Sequence, residues 1–323
     1  MYRKISAIVV PTLIAAGIIG YMLYSVRDQL LIALQNIIPA YLVVGILICL
    51  CAWWLRGWRY HTILKSLNYP LSVKVSTACI FVSQTVNLVV PARLGDFVRV
   101  FILKHEYSTT YSEGVSSLVV ERVFDVVTVA FLGAVSLFFI LNAPPWFTTF
   151  IIIPLAAGMI FFGFLLFLGK FSSRNKYIII ILNMLHEIKR ASLTPRSLGL
   201  LGISSVGSWF LDILACVAVV NMFEQKIPFA IVVLAVVIGN LVKAVPLTPG
   251  GIGTYEYALY TTFLLAGIAP PIATLIAVID HLIKNMVTLV GGVISIYYFG
   301  DWVVPSIKEA LAEKFGGGEH PDS

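Results

Sequence analysis

Six stretches of the sequence, residues 5–25, 39–58, 114–141, 146–169, 197–222 and 270–299, are each predominantly apolar. All reach the roughly 20 residues that an α-helix needs to cross the hydrocarbon core of a bilayer. In lipid no water satisfies backbone N–H and C=O groups, so such stretches must fold as helices. Only 12% of the 323 residues are charged and 59% are hydrophobic, whereas a soluble domain carries roughly 25% charge. The chain is therefore expected to be an all-α polytopic membrane protein with about six full spans. Residues 1–304 form a single transmembrane domain on this reading, and 305–323, ending FGGGEHPDS, a polar cytoplasmic tail. The first stretch follows a basic Met-Tyr-Arg-Lys start, but its apolar core is too long for a signal peptide, so it is read as a retained helix.

The net charge of +6 has a topological explanation. Cations cluster at Arg3 and Lys4, at Arg56, Arg59, Lys65 and Lys74, from Lys170 to Arg196, and at Lys308 and Lys314. If the first span runs outward, each cluster falls on the cytoplasmic side, as the positive-inside rule requires. That places both termini in the cytoplasm and the protein in the plasma membrane. It also removes nucleic acid as the partner that a basic balance would suggest in a soluble chain.

The orientation closes only if two further apolar stretches do not cross. Residues 75–104 are interrupted from Pro91 to Gly95, and residues 228–267 by PLTPGGIG, with Pro246, Pro249, Gly250, Gly251 and Gly253. Each reads as two half-helices meeting at a Pro/Gly break, a re-entrant hairpin; a complete span is the competing reading. The two are alike. Asn87 precedes Pro91 as Asn240 precedes Pro246, and Gly95-Asp96 corresponds to Gly253-Thr-Tyr-Glu256. The helices that follow match too, with Glu121-Arg122 and Asp125 against Asp280-His281 and Lys284. Gly133 and Gly292 each lie eight positions further on. The charge pattern makes the copies, about 39–141 and 197–299, inverted across the membrane. Broken helices in inverted repeats are an architecture of alternating-access transporters.

Charge inside the apolar stretches supplies the candidate site. Arg93, Asp96, Arg99, Glu121, Arg122, Asp125, Asp212, Lys243, Glu256, Asp280 and Lys284 all fall there. Facing lipid, each charge at a helix centre costs about 2.5–3.5 kcal/mol, so these groups must pair or line a wet cavity. Asp280 and Lys284, four apart, are expected to meet on one helix face. Glu121 and Asp125 share a face as like charges and need a cation, for which Arg93, Arg99 and Lys243 are candidates. The half-helix N-termini after the breaks present free N–H groups that suit an anion such as a phosphate. Thr248 and Thr254 would cap those groups or donate to the anion. Asn87 and Asn240 complete the candidate path.

The motifs Asn-x-x-x-Pro-Ala-Arg-Leu-Gly-Asp at 87–96, Glu-Arg-x-x-Asp at 121–125 and Pro-x-Thr-Pro-Gly-Gly-Ile-Gly-Thr-x-Glu at 246–256 resemble the lysylphosphatidylglycerol synthase transmembrane-region family. That family includes the flippase-like membrane portion of the multiple peptide resistance factor, and the resemblance covers roughly 5–300. It implies movement of a polar-headed lipid between leaflets, with Arg93, Asp96, Glu121, Arg122, Asp125, Thr248 and Glu256 along the path. The resistance factor's soluble aminoacyl-transfer domain has no counterpart after the last span, so synthesis of an aminoacylated lipid is not expected.

The remaining features are structural on this reading. Residues 177–190 place Asn183, His186, Glu187 and Arg190 on one stripe of an interfacial linker helix. Cys49, Cys51, Cys79 and Cys216 are read as small buried hydrophobes and His281 as a hydrogen-bonded packing residue. No metal spacing, cofactor motif or catalytic nucleophile pattern is present, so a transporter is favoured over an enzyme. Membrane lipids are the expected partners, with a homo-oligomer or a synthase partner both compatible with the sequence. The alternatives are a membrane-embedded head-group transferase and an accessory subunit of a lipid or glycan synthase.

Overall fold

The computed structural model describes residues 2–35, 37–90, 93–140, 144–168, 174–300, 302–303 and 305, with side chains from residue 10 onward apart from residues 30 and 31. Within these residues the chain is helical, without strands. Its α-helices are α1 (Tyr2–Ser25), α2 (Arg27–Gln35), α3 (Ala40–Ser66), α4 (Val73–Val89), α5 (Gly95–Tyr107), α6 (Tyr111–Leu137), α7 (Pro145–Phe167), α8 (Lys176–Ser192), α9 (Pro195–Met222), α10 (Phe229–Ala244), α11 (Thr254–Leu265) and α12 (Pro270–Phe299). Pro91 and all of the tail beyond Pro305 lie outside the described residues.

Four helices, α3, α7, α9 and α12, are long and apolar enough to cross a membrane, and a fifth crossing results if α1 and α2, bent by 57°, count as one span. The expected span at 114–141 forms α6, which is as long as α3 at 27 residues. Glu121, Arg122 and Asp125 interrupt its apolar character.

Helix starts follow local chemistry. Ser72 accepts from the Val75 N–H at 3.3 Å to open α4, and Thr194 accepts from the Ser197 N–H at 3.2 Å to open α9, with Pro195 in its first turn. Thr110 and Glu113 form a reciprocal capping box at the start of α6, which satisfies otherwise orphaned N–H groups. The linker predicted at 177–190 is α8, with Asn175 as its cap. Its Glu187 accepts from Ser112 and Ser116 of α6 at 2.9 and 2.8 Å, so the stripe that carries it is partly docked on the bundle.

Both predicted breaks are hairpins of two packed helices. α4 ends on Val90 and α10 on Val245, each in an extended conformation and each followed by proline, whose ring disfavours a helical residue before it. The chain then folds back. In the first hairpin Asp96 accepts from Ser83, Gln84 and Asn87 at 3.0–3.1 Å. Gly95 lies so close to α4 that a Cβ there would sit 2.2 Å from the Ser83 carbonyl oxygen. In the second hairpin Gly239 of α10 faces Tyr255 and Leu259 of α11.

Around these hairpins, α3 packs antiparallel on α9, with Arg59 donating to Ser205 and the Ser66 and Ser197 hydroxyls 3.3 Å apart. α4 packs on α12, and α10 on α6. Cys49, Cys79 and Cys216 are buried as expected, whereas Cys51 is exposed.

Candidate functional site

The two breaks meet at one cavity of about 140 Å³. Of the predicted path residues, Asn87, Arg93, Glu121, Arg122, Asp125, Asn240, Lys243, Thr248 and Lys284 line it, as do Pro246, Gly250 and Gly251 from the second break. Asp96, Arg99, Glu256 and Asp280 are buried behind this surface and hold the lining groups in place.

On the first-hairpin side, Glu121 is the hub. Arg99 Nη1 lies 2.5 Å from Glu121 Oε2, and Arg59 Nη2 lies 3.5 Å from Oε1. Arg59 also reaches Asp125 at 2.8 Å, while Arg122 lies 3.5–3.6 Å from Asp96, Glu121 and Asp125. The cation required by the Glu121 and Asp125 pair thus comes from Arg99, as one of the three candidates, and from Arg59 and Arg122. Arg93 and Lys243 do not supply it.

On the second-hairpin side, Asp280 and Lys284 meet at 2.8 Å, the pair predicted from their spacing. Tyr255 donates to Asp280 at 2.8 Å and Lys284 to the Tyr255 oxygen at 3.2 Å. A second chain runs from Glu256 Oε1 to His281 Nδ1 at 2.8 Å and from His281 Nε2 to Lys243 Nζ at 3.2 Å. His281 is hydrogen-bonded as predicted, and it also lines the cavity.

The helix ends differ in detail from expectation. Thr248 and Thr254 do not cap α11. Thr254 donates to the Gly251 carbonyl at 3.1 Å, and Glu256 accepts from the Gly253 N–H at 2.7 Å. The carboxylate of α11 itself therefore occupies one of its free donors. Gly251 has φ +76°, and a Cβ there would lie 2.6 Å from Lys243 Cγ. That position needs glycine for both its backbone and its neighbour.

Arg56 and Arg59, counted from sequence among the cytoplasmic cations, turn into the protein. Arg56 pairs with Asp212 of α9, and Arg59 is only 1% exposed. The stretch ending at 58 has no proline or glycine after Gly57 to stop a helix, and α3 continues to Ser66. That continuation was the available signal. Gln84, Trp209, Asp212, Tyr255 and Asn285 also line the cavity. Trp209 donates to Asp125 at 3.0 Å.

In all, Arg56, Arg59, Arg93, Arg99, Arg122, Lys243 and Lys284 stand against Asp96, Glu121, Asp125, Asp212, Glu256 and Asp280, seven cations to six carboxylates in and behind the cavity. Burial of such groups is tolerable only because nearly all are paired and hydrogen-bonded. The acids are interleaved with cations, and no group of three His, Cys, Asp or Glu suited to a metal occurs among the described residues.

A second hollow, a groove of about 960 Å³, is lined by mostly apolar residues of α3, α4 and α12, with Lys74, Thr77 and Ser295 as polar members. These three helices also line the charged cavity. Between the two lies a stacked pair, Trp53 of the cavity wall and Phe81 of the groove, with ring centroids 4.5 Å apart.

Long apolar helices around a charged interior and two broken hairpins define a polytopic helical membrane protein. The chain belongs to the lysylphosphatidylglycerol synthase TM region family, which matches residues 8–292. It is 30% identical to the glycosyltransferase AglD of Haloferax volcanii over 89% of this chain and 53% of that protein. It is likewise 30% identical to the UPF0104 membrane protein MJ1078 of Methanocaldococcus jannaschii over 71% of this chain and 99% of that one. A UPF0104 membrane protein of Methanothermobacter thermautotrophicus is 24% identical over 84% of this chain and 87% of its own length. The chain thus spans about half the length of AglD and nearly the whole of MJ1078.

Proposed function

We propose that the protein moves a polar-headed lipid between the two leaflets of the plasma membrane, carrying the head group through the charged cavity while the hydrocarbon stays in the apolar groove. The observation that carries this reading is the pairing of the two hollows. A charged cavity and an apolar groove share α3, α4 and α12 and are parted by the Trp53–Phe81 stack. An amphipathic substrate needs both, whereas a soluble solute needs only the first.

Alternating access would come from an inverted repeat with six spans and two re-entrant hairpins, both termini being cytoplasmic. Packing supports the repeat. The glycines matched in sequence have matched contacts: a Cβ on Gly292 of α12 would lie 1.8 Å from Thr85 of α4, and one on Gly133 of α6 would lie 2.7 Å from Val237 of α10. Each half therefore receives the first hairpin helix of the other at the equivalent point. The matched acids behave alike too, Asp96 facing Arg122 as Glu256 faces His281. Rocking one half against the other would carry a central site from one side to the other.

The test is interleaflet exchange in liposomes containing the purified protein. Acceleration of head-group-labelled lipid with unchanged lipid mass supports transport. A second reading, a membrane portion serving lipid-linked glycan synthesis, is favoured by the relative named as a glycosyltransferase. Change of lipid mass, or no exchange until a synthase partner is added, would replace the first reading with this one.

A further inference from the structure

Within that cavity, the charges are not evenly settled. Arg56, Arg59, Arg99, Arg122 and Lys284 each face a carboxylate. Arg93 and Lys243 make no ion pair among the described residues. Arg93 donates to the Lys243 carbonyl at 3.4 Å, and the Lys243 ammonium meets the His281 imidazole. Neither partner carries a negative charge, so the positive charge of each group is left without an adjacent counter-charge. A guanidinium has five N–H donors and an ammonium three. One of each is used here, and both side chains line the cavity.

Their origin is equally telling. Arg93 comes from the first break and Lys243 from the last turn of α10, just before the second. Arg93 is held at φ +54°, a left-handed conformation that a residue with a Cβ seldom adopts and that persists where surrounding structure enforces it. Gly251 lies against the Lys243 stem, so the close packing of the second break fixes the ammonium in turn. Two chain reversals thus bring two unmatched cations side by side.

We propose that Arg93 and Lys243 seat the phosphate of an anionic lipid whose head group carries no amine of its own. This rests on the lipid-moving reading above and names its head group. A phosphate offers acceptor oxygens to both donors at once and supplies the missing negative charge. An aminoacylated or choline head would bring a cation against Arg93 and Lys243, where like charges are selected against. The seat therefore separates lipids by the charge of the head beyond the phosphate.

The experiment measures binding to the purified full-length chain in detergent, by thermal shift and by titration. The probes are dioctanoyl phosphatidate, dioctanoyl phosphatidylcholine, a short-chain lysyl-phosphatidylglycerol and inorganic phosphate. Phosphatidate is expected to bind at least about tenfold more tightly than the other three. Arg93→Gln and Lys243→Gln should each weaken it about tenfold, with Arg93→Lys retaining most of the affinity. Lys104→Gln, on the exposed face of α5 away from the cavity, should leave it unchanged.

Equal affinity for the three lipids overturns the seat, as does insensitivity to both Gln substitutions in protein that melts as the wild type does. Inorganic phosphate binding as tightly as phosphatidate overturns the assignment to a lipid. Interleaflet exchange is scored separately. Selective binding without exchange leaves the seat and removes the transport reading, and exchange without head-group preference does the reverse.

Discussion

Arg59 on α3 lies 2.8 Å from Asp125 on α6 and, through the same nitrogen, donates to Ser205 on α9 at 2.9 Å. One side chain thus ties three helices, and at 1% exposure it has no access to water. Glu121, 2% exposed, completes the set by facing both Arg59 and Arg99.

Removing one member of a buried, paired set leaves the others as uncompensated charges, at a cost of about 3–5 kcal/mol. Glu121→Ala is expected to destabilise the protein by that amount in denaturant titrations of the detergent-solubilised chain. Arg99→Met combined with Glu121→Ala should recover part of the loss, a non-additivity expected of directly coupled residues. A loss below about 1 kcal/mol for Glu121→Ala would show that water reaches Arg59 and Arg99 and that the set is not sealed.

Much of this arrangement was legible in the sequence, for physical reasons. Apolar length sets where helices form, and proline after Val90 and Val245 sets where they stop. Charge in an apolar stretch marks the interior, which is why nine of the proposed path residues line a single cavity. The partners were less legible. Asp280 and Lys284 could be paired because a helix brings residues four apart together. Arg56 and Asp212 are 156 residues apart, and nothing local ties them. Arg56 and Arg59 were read as topological cations because positive charge near a span end serves that role in many membrane proteins. Only the continuation of α3 past residue 58 carries them inward.

Gly292 marks the closest approach of α12 to α4. A Cβ there would lie 1.8 Å from Thr85 Oγ1 and 2.6 Å from its Cβ, and the Thr85 hydroxyl donates to the Thr288 carbonyl at 2.9 Å. Gly292→Ala is expected to lower stability by about 1–3 kcal/mol, the range for overpacking a filled contact. Thr85→Ala in the same chain should restore part of it, because it removes the hydroxyl and methyl but leaves the Thr85 Cβ at 2.6 Å. Melting temperatures of the two single variants and the double variant give the comparison, and an additive double variant would refute the contact.

The capping box at the start of α6 carries a pH signature. Burial raises the Glu113 carboxyl, but the Thr110 backbone N–H, the Tyr69 hydroxyl and the Thr110 hydroxyl outweigh it and hold the group below the usual carboxylate range. A depressed folded value contributes stability that is present above the unfolded value and lost as pH falls through the folded one. Amide protection over residues 110–114, which include the Thr110 N–H that Glu113 accepts, corrected for intrinsic exchange rates, should therefore fall on acidification below the ordinary glutamate range. Glu113→Gln should already show the weaker protection at neutral pH and little further change. Wild-type protection that stays constant on acidification would mean that the cap adds nothing to α6.

The stacked Trp53 and Phe81 rings give the transport reading its most direct test. Phe81 fills the space above Gly291, whose added Cβ would lie 2.3 Å from its ring, so the aromatic side chain is fixed against both α3 and α12. On the transport reading it stands where the head group of a lipid whose chains lie in the groove would pass into the cavity. Phe81→Ala removes that barrier without touching a charged residue. Interleaflet exchange is expected to rise several-fold, with phosphatidate affinity at Arg93 and Lys243 unchanged. Phe81 is half-buried, so its truncation should cost less than the about 3–5 kcal/mol of a fully buried Phe; the variant should still melt earlier, and exchange must be compared below its melting onset. Phe81→Leu, which keeps an apolar plug and costs less, should fall between wild type and Phe81→Ala. If both variants exchange lipid at the wild-type rate, passage between α3, α4 and α12 is not the entry step, and the groove on that side is no part of the route.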